Sequence, residues 1–315
     1  MPFVKELEHL EKKSNELAVK LGNKLKKNLQ FELFLIPALF FYTLFIIVPL
    51  FQGFGYSVTN LHIKTRATDF VGLKNFIDIL GDDIIKNSIS FTFMYTLATV
   101  VLVTAAAIPL ALVFDANSHT KNLQRAIFYF PSCVSALIMG FTWRYLLSSD
   151  DGGFVNSIII NVFHGHSVNW LSDPVIAQLS NVLVCIWIAS GWNATIYLAY
   201  LQSIPHEYYE AAYIDGASYI QRVRHITLPL LAPAMTISVM TLLTGGLKLY
   251  ELPYALTDGG PMRVTHTFTH AIVVRGITEG NYGRASALAV VLFIIIMVFT
   301  YVQVSVMSKR EEKAY

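Results

Sequence analysis

The chain has 315 residues, 54% hydrophobic and only 14% charged, with a formal net charge of +2. A typical soluble domain carries about 25% charged residues, so this composition excludes a soluble enzyme, a secreted disulfide scaffold and a nucleic-acid-binding module. The small net charge by itself points to no acidic partner. The charges are also clustered: seven Lys and five Glu lie in residues 1–32, and five more charged residues lie in 309–313. Between these ends six long stretches carry no charge: 33–63, 87–114, 126–143, 174–206, 225–247 and 285–308. A helix crossing the hydrocarbon core needs about 20 mainly apolar residues, and each stretch qualifies. A transmembrane barrel is built from short alternating strands, whereas a run such as 287–298 is apolar throughout. Backbone groups in lipid must pair within their own segment, which leaves helices. The predicted fold is an all-α polytopic membrane protein with six transmembrane helices.

In chain order, residues 1–32 are expected to form a cytoplasmic tail. Its Lys and Glu residues are interspersed with Leu7, Leu10, Leu17, Val19 and Leu21, the pattern of an amphipathic surface helix that either touches membrane lipid or stands in water. The tail has no apolar core or small-residue cleavage site of a removable signal peptide. Residues 33–83 are read as the first transmembrane helix and an external loop, 84–307 as the main transmembrane domain, and 308–315 as a cytoplasmic tail. The run 152–172 is also uncharged, but Gly152, Gly153, Asn156, Asn161 and His164 mark it as an external loop holding a short amphipathic helix. Six spans place both termini on one side. That side collects 14 Lys and Arg residues against seven on the opposite loops, so the positive-inside rule puts both termini in the cytoplasm.

The sequence holds no GxSxG, HExxH or GxxxxGK[ST] pattern, so no catalytic residue and no cofactor is assigned. His266 and His270 have the i, i+4 spacing of a helical metal site, but no carboxylate stands beside them in the sequence. They are read as structural, and no metal is assigned. Cys133 and Cys185 sit in different apolar stretches and are read as reduced packing residues.

The most informative stretch is the cytoplasmic loop 204–233. Pro205 suits a first helical position, and Glu207 and Glu210 suit the early turns of a helix through the macrodipole. Asp215-Gly216 is a turn signal in which Gly216 is free to take positive φ. Ser218 with Gln221 predicts a capping box, and Pro229 predicts the end of the second helix. The product is a helix–turn–helix elbow at the membrane face, thin along Ala211 and Ala212 where it can enter another protein's groove.

These residues also carry a resemblance. Glu210-Ala211-Ala212, Asp215-Gly216-Ala217 and Ile226-Thr227-Leu228-Pro229 resemble the EAA signature of ABC importer permeases. Phe130-Pro131, Trp143, Gly153-Phe154-Val155-Asn156, Trp170-Leu171, Leu201-Gln202-Ser203-Ile204-Pro205 and Thr257-Asp258-Gly259-Gly260-Pro261 are similar to its carbohydrate branch, the permeases for maltose, lactose, raffinose and glycerol-3-phosphate. The resemblance covers about residues 84–307. Val223 departs from it, since the family often has an aromatic there, and the large external domain of the maltose permease is missing. The resemblance implies a type I ABC importer permease in the prokaryotic cell membrane, not itself an enzyme. It implies a second, similar permease as a heterodimer partner, two cytoplasmic ABC ATPase subunits gripping the elbows, and an extracytoplasmic solute-binding protein that delivers a sugar. Glu210, Ala211, Ala212, Asp215, Gly216, Leu228 and Pro229 then form the ATPase-coupling element.

A sugar needs hydroxyl partners and an aromatic platform, and polar groups inside membrane spans are costly enough to suggest function. Trp187, Gly191, Trp192, Asn193 and Tyr197 supply both in the fourth span, whose counterpart in the maltose permease lines the sugar site. Gly246 is expected to open space in the fifth span beside Lys248 and Glu251, which either face the substrate pathway or form an interfacial ion pair at the span's outer end. Trp143 and Tyr250 suit an interfacial aromatic belt, and Arg144 is expected to snorkel. The alternative from another class is an ion-coupled secondary transporter without ATPase partners. Carboxylates deep in the spans would mark it, and the six uncharged stretches contain none.

Overall fold

The computed structural model describes residues 33, 35–65, 68–116, 119–149 and 153–311. The tail read in residues 1–32 lies outside them, as do residues 312–315. The chain divides into two units, 1–55 and 56–315.

The described part of the first unit is helix α1 (Leu35–Ser57), whose last residues open the second unit. Its apolar side chains face outward. A π turn over Thr43–Ile47, closed by Val48 N–H donating to the Thr43 carbonyl, stands immediately before Pro49. Proline lacks an N–H and its ring collides with a carbonyl one turn back. The widened turn displaces that carbonyl, so the helix continues.

In the second unit α2 (Lys74–Gly81) precedes the long α3 (Asp83–Asp115), which is capped by Asp82 accepting from Ile84 N–H at 3.0 Å. Then come α4 (Lys121–Cys133), α5 (Ala136–Leu146), the short α6 (Phe154–Asn161) and α7 (Pro174–Leu201), which is capped by Asp173 with Pro174 at its first position. The elbow helices α8 (His206–Ile214) and α9 (Tyr219–Leu230) lead into α10 (Ala232–Leu247). The chain ends through α11 (Glu251–Thr257), α12 (Phe268–Val273) and α13 (Tyr282–Glu311). Among the described residues four helices, α1, α3, α7 and α13, are each long and apolar enough to cross a membrane, and the count reaches six if the bent pairs α4–α5 and α9–α10 each form one span. Among the described residues there are no strands, only two isolated bridges, Thr59 with Phe70 and His62 with Asn281.

The third stretch is not the straight helix that its apolar run 126–143 implied. α4 and α5 meet at 99°. Pro131 lies in the last turn of α4 without an N–H to give, and the Ser132 hydroxyl donates to the Tyr129 carbonyl at 2.6 Å. Val134 is then extended at φ −92°, ψ 142° and Ser135 starts the new helix. Within the run 152–172, by contrast, the described residues 153–172 form a loop and the short helix α6, as expected from its glycines and asparagines.

α3 and α7 pack along each other and α10 joins α3, while α13 lies on α10 and α12, and α11 on α5. Lipid offers no hydrophobic drive between helices, so small residues that allow close approach hold such contacts. At the elbow end Ala107, Ala111, Ala194 and Ala234 surround Phe114, Tyr197 and Leu231. At the opposite end Ala271 and Ala287 pack with Phe268, Leu288 and Leu292. Down α3 the hydroxyls of Ser88, Thr92 and Thr96 each donate to the carbonyl four residues back, at 2.8, 2.7 and 2.6 Å. A buried hydroxyl is thereby satisfied without a partner helix.

Candidate functional site

The elbow is built by local rules. Pro205 sits one residue ahead of its expected place, at the N-cap of α8 with φ −58°. Gly216 adopts φ +77°, which frees the chain to turn back, and Ala217 N–H closes the turn on the Ala212 carbonyl at 2.9 Å. The Ser218–Gln221 capping box is complete: Ser218 N–H donates to Gln221 Oε1 at 2.7 Å and Gln221 N–H to Ser218 Oγ at 3.4 Å. The Arg222 guanidinium lies over the Tyr213 ring at 5.8 Å. Pro229, however, does not end α9. A π turn over Val223–Thr227, closed by Leu228 N–H on the Val223 carbonyl, carries the helix through the proline, as at Pro49. The chain bends by 66° only afterwards, between Leu230 and Ala232.

The elbow's outer surface mixes acids with large apolar side chains. Glu210, Ala211, Asp215 and Gly216 are exposed, Ala212 and Leu228 are half-buried, and Pro229 is exposed. Around them Tyr213 is 71%, Ile214 84% and Ile220 75% exposed. Exposed apolar side chains of this size make the elbow a candidate interaction surface.

The in-span candidates separate by environment. Gly191 is buried where α7 crosses α4, and a Cβ there would run into the Phe128 carbonyl. Asn193 is 2% exposed and fully engaged: its amide donates to the Ala189 carbonyl at 2.8 Å and its oxygen accepts from Ser238 Oγ at 2.8 Å. Tyr197 is buried in the elbow-end core. Gly246 does not open space. It is buried, and a Cβ there would meet Thr96 Oγ1 at 2.8 Å, so it brings α10 onto α3. The two tryptophans differ from these. Trp187 and Trp192 are exposed and pack against the two helices of the bent pair, Trp187 edge-to-face on Trp143 of α5 at 5.4 Å and Trp192 tilted on Tyr129 of α4 at 5.9 Å.

Lys248 and Glu251 are exposed at the break between α10 and α11. Lys248 lines a groove of about 520 Å³ with Phe293, Ile296, Met297, Thr300 and Tyr301 of α13, a set that includes neither tryptophan. α10 and α13 run antiparallel, with Gln303 Nε2 reaching the Thr236 carbonyl at 3.5 Å. Counting from that level, Lys248 stands near the middle of the Tyr282–Met307 span, roughly 15 Å from its start at about 1.5 Å per residue. Lys248 is itself the C-cap of α10, and no ion pair joins it to Glu251 among the described residues.

The opposite end holds a cluster that spacing alone did not reveal. His266 and His270 stack at 4.1 Å, His266 Nδ1 lies 3.0 Å from Ser88 Oγ, and Phe268 N–H donates to Thr92 Oγ1 at 2.9 Å. Loop 258–267 is thereby pinned to α3. Asp258 and Glu279 line the same pocket of about 220 Å³, so the pair is not without carboxylates as the sequence spacing suggested. Burial, and then the neighbouring His270, Arg263 and Arg275, lower the His266 pKa to about 4, and burial lowers that of His270 as well. Arg275 bridges Asp82 and Glu279, which together with their charges raise its pKa. Among the described residues no three His, Cys, Asp or Glu side chains converge as a metal would require.

Comparison with known proteins gives this arrangement its context. Residues 107–311 match the family model described as binding-protein-dependent transport system inner membrane component. The chain is 32% identical over 287 residues to a probable starch degradation products transport system permease protein of Thermoanaerobacterium thermosulfurigenes, covering 91% of this chain and 96% of that one. It is 30% identical over 280 residues to a trehalose/maltose transport system permease protein of Thermococcus litoralis, covering 89% and 94%. The fold is similar to that of a bacterial alginate ABC transporter, solved in complex with an alginate pentasaccharide-bound periplasmic protein, with a TM-score of 0.81 at 20% identity over 92% of this chain and 97% of that one. The chain belongs to the family of inner-membrane permease components of binding-protein-dependent ABC transport systems, multi-pass membrane subunits that are not themselves enzymes.

Proposed function

We propose that this chain is one of two permease subunits of an ATP-driven importer of di- or oligosaccharides, with the elbow end and both termini in the cytoplasm. Two ABC ATPase subunits bind the elbows of this chain and of a second, similar permease, and an extracytoplasmic binding protein delivers the sugar to the opposite end. The observation that carries the reading is the elbow itself: exposed Glu210 on the same short helix as exposed Tyr213 and Ile214, followed by a capped turn and exposed Ile220. Closure of the ATPases displaces the elbows and rocks the bundle between inward- and outward-open states, a rigid-body form of alternating access.

Within the bundle the substrate pathway runs past Trp187 and Trp192, whose exposed faces offer stacking platforms for sugar rings, and past Lys248 and Glu251 at mid-span. Gly191, Asn193, Tyr197 and Gly246 support that pathway from behind, because their contacts are made to other helices. The sugar relatives named above support an oligosaccharide as the cargo. Reconstitution in liposomes tests the class. Uptake is expected only with both permeases, the ATPase, ATP and the binding protein present. Uptake driven by a proton gradient without the ATPase would instead establish an ion-coupled transporter.

A further inference from the structure

The elbow's contacts fall into two sets. Those around Gly216 and Ser218 join α8 to α9 at the outer tip and would hold an isolated elbow in shape. At the base the geometry is different. α8 has no fully buried residue, and beneath it lies a cavity of about 310 Å³ bordered by Leu112, Asp115, Leu201 and Ile204. At that hollow Tyr209 Oη and Thr227 Oγ1 are 3.0 Å apart. Of the three tyrosines in α8, Tyr208 and Tyr213 are exposed, while Tyr209 turns inward and packs on the core formed by α3, α7 and α10. Thr227 is 2% exposed, ends the π turn, and accepts at its carbonyl from Leu231 N–H at 3.0 Å. It therefore sits at the root of the 66° bend into α10.

We propose that the Tyr209–Thr227 hydroxyl pair is the clamp that makes the two elbow helices move as one piece with the fifth span, so that Tyr209 is a positioning residue for coupling. The proposal rests on the reading that the ATPase docks on the elbow. A push delivered at Glu210 enters α8 first. α8 can yield into the cavity beneath it, and the motion is then absorbed before it reaches α10. With the clamp closed, tilting α8 must also turn Thr227 and the bend it anchors. A hydrogen bond is directional and resists sliding, which a purely apolar contact at the same place does not.

The test uses the complete complex in liposomes, and its readouts are copurification of the ATPase and the number of sugars moved per ATP hydrolysed. Tyr209→Phe and Thr227→Val keep the ring and the volume while removing the link. Each is expected to retain the ATPase and to lower sugar per ATP by roughly three- to tenfold, the size of one lost hydrogen bond. The double variant is expected to be no worse than either single one, and Thr227→Ser to keep the wild-type ratio. A wild-type ratio in Tyr209→Phe, or single losses that add in the double variant, would overturn the clamp. Release of the ATPase from Tyr209→Phe would overturn it too, by making Tyr209 part of the docking surface. Failure of the wild-type chain to bind the ATPase would overturn the docking reading beneath it.

Discussion

The elbow and the middle of the bundle make opposite use of their polar and apolar residues. In the elbow, tyrosines and isoleucines stand exposed at the end of a membrane protein, and the polar groups of Ser218 and Gln221 only shape the turn. In the bundle the polar residues are inside. Asn193 bonds Ser238 across helices, and Ser88, Thr92 and Thr96 bond their own backbone. Polarity alone therefore does not identify a substrate contact here, because most in-span polar atoms already have partners. Exposure against the grain is the better indicator: large apolar groups exposed at the elbow, and in the bundle the exposed charge of Lys248.

The largest effect should come from breaking the elbow. Gly216→Pro fixes φ near about −65° where the turn uses +77°, so the capping box is misdirected and α9 leaves its place. ATPase copurification or sugar-stimulated ATP hydrolysis should fall by well over tenfold, while sugar binding persists. In the bundle the two environments should separate cleanly. Trp192→Ala removes an exposed platform and should weaken sugar-dependent transport roughly 5- to 150-fold, the equivalent of about 1–3 kcal/mol, with normal thermal stability. Asn193→Ala strands the Ser238 hydroxyl and should instead lower the melting temperature of the complex with little change in apparent sugar affinity. The reverse pattern would exchange their roles.

The smallest effect is one of pH. His266 is held neutral by burial, with a pKa lowered to about 4 from the usual 6.5. A depressed folded-state value means that pinning of loop 258–267 is complete above pH about 6.5 and weakens as pH falls through 4, because the released loop takes up the proton more readily. Hydrogen exchange at the amides of 264–270, corrected for its intrinsic pH dependence, should rise between pH 6.5 and 4.5. In His266→Gln the rise should flatten.

Features set by a few adjacent residues were legible in the sequence. Gly216 with positive φ, the Ser218–Gln221 box and the loop at 152–172 follow from turn and capping chemistry, and six uncharged stretches indicated six spans. What was not legible depends on neighbours distant in sequence. The break at Val134–Ser135 left only Pro131 and Ser132 as signals, and Pro229 read as a stop because a single sequence does not reveal a π turn that absorbs it. Gly246 reads as open space until Thr96 is placed against it. The depth of Lys248 depends on where α13 lies. The stacking of His266 on His270 was latent in their i, i+4 spacing, but Ser88 comes from elsewhere in the chain.

The docking of the ATPase on the elbow can be measured directly by cross-linking. With Cys133 and Cys185 replaced by Ala, single cysteines are placed at Ile214, on the elbow's exposed face, and at Ile277, equally exposed at the opposite end. Membranes holding the whole transporter are then treated with a short thiol cross-linker. Ile214→Cys should join this chain to the ATPase subunit, with a yield that changes when ATP is added, and Ile277→Cys should give no such product. An ATPase product from Ile277→Cys, or none from Ile214→Cys in a transport-active complex, would contradict the elbow as the coupling site.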